Sequence, residues 1–108
     1  MQTARELMDR ARARISEHGD AAGTLGAVYR FVLEGEGGGT WTLNLGDAPG
    51  VTEGAGDADC VLRLSADDYV ALVEGRTDGQ QLYFSGKLHV DGDMSLAVKL
   101  EKLTAFIR

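Results

Sequence analysis

The feature that most constrains this chain is a pair of segments with a period of two, separated by glycine. Ala27, Tyr29, Phe31 and Leu33 share one parity while Arg30 and Glu34 take the other; beyond Gly35 to Gly39, Trp41, Leu43 and Leu45 alternate with Thr40, Thr42 and Asn44. Successive side chains of a strand point to opposite faces, so each segment reads as a half-buried strand. Four glycines in the five residues between them supply the positive φ that a hairpin loop needs. One face of such a hairpin packs on a core and the other meets solvent.

The flanking segments change period. Thr3 with Glu6 fits a capping box, and Leu7, Met8, Ala11 and Ile15 recur at helical spacing before Gly19, which predicts a helix over residues 3–18. Asp47, Pro49 and Gly50 turn the chain into a short extended piece around Val51, whose strand character the pattern leaves open. Ala58, Cys60, Leu62 and Leu64 then face one way with Asp59 and Arg63 opposite, a further strand in which Cys60 is a small core residue. Ser65 and Asp68 repeat the capping signature ahead of Tyr69, Val70, Leu72 and Val73, with Gly75 as the stop. Asp78 is placed to cap residues 79–84, Leu88 and Val90 alternate as a last strand, and Asp93 caps a final helix. In that helix Leu96, Leu100, Leu103 and Ile107 form one stripe, with Met94, Val98 and Ala105 opposite it. It should therefore touch two apolar environments, the second being a neighbouring element, a partner chain or a ligand.

With 108 residues, 44% of them hydrophobic and a single Pro, one compact unit over residues 1–108 is expected, bounded by helices over 1–19 and 93–107. A net charge of −6 argues against nucleic acid, whose binding needs clustered Lys and Arg. The charge is uneven: residues 1–14 and 94–108 each sum to +2 and the middle to −10, so any transient membrane contact through acidic head groups belongs to the terminal helices. Cys60 is the sole cysteine, which rules out an intrachain disulfide, and no apolar run has the length of a signal peptide or a membrane span. A cytoplasmic protein is expected.

Three segments carry a more specific pattern: Ala58-Asp59-Cys60-Val61-Leu62-Arg63-Leu64-Ser65, then Leu82-Tyr83-Phe84-Ser85-Gly86-Lys87-Leu88, then Asp91-Gly92-Asp93-Met94-Ser95-Leu96-Ala97-Val98-Lys99-Leu100. In order and spacing, together with the glycine hairpin leading into Trp41-Thr42-Leu43-Asn44-Leu45, they resemble the sterol carrier protein type 2 family over about residues 20 to 105. The resemblance implies an α+β fold: a five-stranded twisted sheet covered on one face by helices, with a hydrophobic tunnel between sheet and helices. It also implies a non-enzymatic carrier for a small-molecule lipid: a fatty acid, fatty acyl-coenzyme A, phospholipid or sterol-like tail. With the second apolar stripe, it places Val70, Val73, Tyr83, Phe84, Met94, Val98 and Leu103 along the tunnel and Ser85 as the polar ligand contact. Ser85 stands where many members carry Gln, and its hydroxyl reaches less far than a carboxamide. The end Phe106-Ile107-Arg108 lacks the Ser-Lys-Leu type peroxisomal address that some members bear.

Other chemistries find little support in the residues. His18 and His89 have no second His or Cys at ligand spacing. Asp91 and Asp93 invite comparison with a calcium loop, but its sixth position is Leu96 rather than Gly and its twelfth is Lys102 rather than Glu. No Gly-Lys-Ser/Thr follows the glycine run, and Ser65 is explained as a helix cap. Asp57, Asp59, Asp67 and Asp68 flank a strand end and a helix start, where the helix dipole favours them. No cofactor, metal or catalytic role is therefore expected. The alternative to a carrier is an interaction module that buries its apolar helix face on a partner chain, as a homodimer or docked on an enzyme; a monomer or weak homodimer is expected.

Overall fold

A computed structural model describes residues 3–17, 26–46, 49–54, 56–99, 104 and 107. Helix α1 (Ala4–Glu17) is followed by strands β1 (Val28–Glu34), β2 (Gly39–Asn44), β3 (Gly50–Glu53) and β4 (Cys60–Ser65). Helices α2 (Ala66–Glu74) and α3 (Gly79–Phe84), strand β5 (His89–Gly92) and helix α4 (Met94–Val98) complete the order. Thr104 and Ile107 are also helical.

The five strands form one mixed sheet in the order β3-β2-β1-β4-β5. The hairpin places Phe31 opposite Trp41 and Tyr29 opposite Leu43, β1 runs parallel to β4, and the remaining neighbours are antiparallel. The extended piece around Val51 is a genuine edge strand, pairing Val51 with Leu43.

Alternation sorts the two faces of this sheet. Tyr29, Phe31, Leu33, Trp41, Leu43, Cys60, Leu62 and Leu64 are all buried, while their neighbours along each strand are partly or fully exposed. The buried face lies under α1, which contributes Leu7, Met8, Ala11 and Ile15, and α2, which contributes Tyr69, Leu72 and Val73. The Phe31 and Tyr69 rings meet edge to face at 5.5 Å, a geometry favoured by the ring quadrupoles.

Each cap expected from sequence forms. Thr3 Oγ1 accepts from Glu6 N, Ser65 Oγ from Asp68 N and Asp78 Oδ1 from Gln81 N, at 2.8 to 3.2 Å. Gly75 closes α2 in the left-handed region at φ 82, its amide donating to the carbonyls of Ala71 and Leu72.

Candidate functional site

The expected lining residues fall into two environments. Val70 and Val73 sit on α2 among the buried core, at 5% and 1% exposure. Tyr83 and Phe84 end α3 and Met94 begins α4, and all three are exposed, at 43%, 80% and 49%. The rings of Tyr83 and Phe84 stack with centroids 5.9 Å apart and planes 4° from parallel. The side chain of Val98 and the whole of Leu103 lie outside the described residues. Within α4 Leu96 is buried and Met94 faces outward, and Ile107 further along the chain is buried.

Ser85 caps the end of α3. Its hydroxyl donates back to the carbonyls of Gln81 at 2.8 Å and Leu82 at 3.2 Å. The single hydroxyl proton is thereby committed within the turn, leaving lone pairs as the free capacity of this exposed group. Gly86 follows at φ 77, and Lys87 N donates to Leu82 O, which turns the chain sharply into β5.

A cavity of about 480 Å³ opens where the two helices meet, lined by Leu72, Gly75, Arg76, Thr77, Asp78, Gln81 and Thr104. Its rim is polar and internally paired: Arg76 holds Glu74 through Nε and Nη2, and Thr77 Oγ1 bonds Gln81 Oε1 at 3.3 Å. The sequence marks Leu72 as a core position, Gly75 as a helix stop and Asp78 as a cap, none of them as a lining residue. Polar residues in a short interhelical connection resemble any solvated loop, so the sequence carries no signal for this opening.

A second feature missed from sequence fixes the last helix to the sheet. Tyr29 OH, fully buried on β1, donates to Leu96 O at 2.8 Å. Burial, followed by the nearby Cys60 and Asp93, pushes its phenol up to about 12. At the start of α4, Asp93 Oδ1 accepts from the amide and the hydroxyl of Ser95. Ser95's hydroxyl and amide are the main reason the Asp93 carboxyl lies below the usual range. Asp59 completes the junction: its carboxylate accepts Val28 N at 3.0 Å and its carbonyl accepts Asp93 N at 3.1 Å.

Nucleophilic chemistry has no foothold around Cys60. Burial, then the carboxylates of Asp93, Asp91 and Asp59, push its thiol up and away from the reactive thiolate. Among the described residues no three His, Cys, Asp or Glu side chains gather as a metal site, and no helix is long and apolar enough to cross a membrane.

Sheet order, one helix-covered face and an aliphatic α2 wall define the class: an α+β domain that packs helices on a single mixed sheet. The chain belongs to the SCP-2 sterol transfer family, whose model matches residues 7–105. It is 46% identical over 80 residues to hydroxysteroid dehydrogenase-like protein 2 of Bos taurus, a match covering 71% of this chain and 19% of that protein. The human protein of the same name is 44% identical over the same length. The chain thus spans less than a fifth of these curated relatives, which are larger proteins of which such a domain is one part. Sterol carrier protein 2 from Yarrowia lipolytica, solved in its apo form, superposes with a TM-score of 0.83 at 28% identity, covering 94% of this chain and 89% of that one. Sterol carrier protein 2 from Aedes aegypti, solved in complex with the C16 fatty acid palmitate, superposes at 0.77 over 100% of both chains with 21% identity, a likeness of fold.

Proposed function

We propose that this protein is a non-enzymatic carrier that holds the tail of a single-chain lipid, foremost a fatty acid or fatty acyl-coenzyme A, between its helices and its sheet. Family membership over residues 7–105 is the observation that carries this reading. It is supported by the sterol carrier protein of the same fold that was solved with palmitate. Val70 and Val73 supply the α2 wall, and the proposed lining also includes Val98 and Leu103. Tyr83, Phe84 and Met94, exposed and apart from the polar cavity, are assigned to the entry of the tail, and Ser85 offers its lone pairs to a head-group donor such as an amide or hydroxyl of acyl-coenzyme A, an ionised fatty-acid carboxylate having none.

The physical logic lies in the tail. Each methylene removed from water is worth about 0.8 kcal/mol, so a long acyl chain gains on the order of 10 kcal/mol before ordering and association costs reduce it. An apolar wall with few polar groups suits that task.

Met94→Lys tests the reading. Met94 is half exposed at the start of α4, so the fold should tolerate the change. A charge at the entry is expected to reduce uptake of a fluorescent C16 fatty acid by about tenfold or more, at an unchanged melting temperature. Equal uptake by both proteins would remove α4 from the site.

A further inference from the structure

The three large apolar side chains that stand exposed among the described residues, Tyr83, Phe84 and Met94, all fall in one stretch of the chain. Phe84 is the extreme, 80% exposed and stacked flat on Tyr83. A ring so exposed lacks the apolar contacts that normally justify an aromatic residue.

Charge is distributed to match. The chain carries 17 carboxylate side chains, yet residues 79–90 contain none, and the one charged residue there is Lys87. Around the two rings lie Gln80, Gln81 and Ser85, all exposed and uncharged, with exposed His89 beyond. Asp78 and Asp91 bound the stretch, and Asp78 is engaged as the α3 cap.

From this juxtaposition we propose that the tip of α3, with Phe84 as inserted residue, Tyr83 at head-group level and Lys87 reaching lipid phosphate, is a surface for docking on a bilayer that is distinct from the basic terminal helices and does not need acidic head groups. An aromatic ring with a polar edge suits the membrane interface, and a lysine stem covers apolar surface while its ammonium stays with phosphate. Carboxylates would be repelled or desolvated there; residues 79–90 have none, while Asp91 and Asp93 precede Met94, which is left out of the docking surface. The assignment deepens the carrier reading and rests on it, because docking here brings the entry of the tail to the lipid source.

Flotation of the full chain with phosphatidylcholine vesicles at millimolar lipid tests the proposal. The wild type is expected to partition onto vesicles, Phe84→Ser to bind about tenfold more weakly, and Lys87→Glu to bind several-fold more weakly. Phe84 is too exposed for its loss to unfold the chain, and circular dichroism of each variant checks this. Equal partitioning of wild type and Phe84→Ser overturns the assignment. So does a wild-type dimer in light scattering that Phe84→Ser converts to a monomer, since the rings would then face a second copy. Wild type that takes up fatty acid from solution but ignores vesicles sinks the docking surface and leaves the carrier. Wild type that binds vesicles but takes up no fatty acid sinks the carrier and leaves the docking surface.

Discussion

Tyr29 shows how one polar atom organises the site region. Its ring belongs to the buried face of the sheet, and its hydroxyl reaches across to the backbone of α4 at Leu96. Tyr29→Phe keeps the ring and removes one of two donors to Leu96 O, the other being Lys99 N at 3.1 Å, so it should cost about 0.5–1.5 kcal/mol in denaturant unfolding. The same residue sets an alkaline limit. A phenol raised to about 12 in the folded state, against an ordinary value of 10.0, keeps its proton longer folded than unfolded. Its contribution is therefore fully present below pH 10 and is lost as pH rises toward 12. The wild-type melting temperature should decline across that window, with Tyr69, also raised by burial, adding to the loss. A smaller decline in Tyr29→Phe supports this origin; an identical decline would move it to other groups. Tyr29 was legible as a core residue from its parity, but its hydroxyl partner was not, because 67 residues separate the two.

At the scale of elements, the junction between β5 and α4 depends on a glycine that only the fold explains. Gly92 has φ 106, and a methyl group there would sit 2.6 Å from Asp59 O, the carbonyl that also accepts Asp93 N. Gly86, at the other end of the same strand, has φ 77 with nothing within 4 Å of such a methyl. Gly86→Ala should therefore cost only the left-handed backbone term, about 1–2 kcal/mol. Gly92→Ala should add the displaced contact and lose at least about 1 kcal/mol more. Equal losses in equilibrium unfolding would show that Asp59 yields freely. The elements themselves were readable wherever period and punctuation agreed: the glycine hairpin, the Ser65 and Asp78 caps and the alternating strands. β3 was doubtful because an edge strand of four residues, half-buried at most, carries too short an alternation. The lining residues were harder. Helical spacing puts Val73 and Phe84 alike on apolar positions, and only tertiary packing separates a residue 1% exposed from one 80% exposed.

For the whole molecule, the architecture divides between a buried core and an accessible edge. The hairpin, β4, α1 and α2 bury a continuous core, whereas α3 and the start of α4 present exposed rings and a half-exposed methionine, and the polar cavity opens at the connection from α2 to α3. A carrier needs this combination, because the sheet must persist while a lipid enters and leaves. Native mass spectrometry of the freshly purified protein, followed by denaturing extraction, tests the central claim most directly. The account predicts a co-purified mass matching a fatty acid or another single-tailed lipid, released on unfolding. A clean apo protein whose melting temperature is unmoved by a panel of fatty acids and acyl-coenzyme A would contradict it.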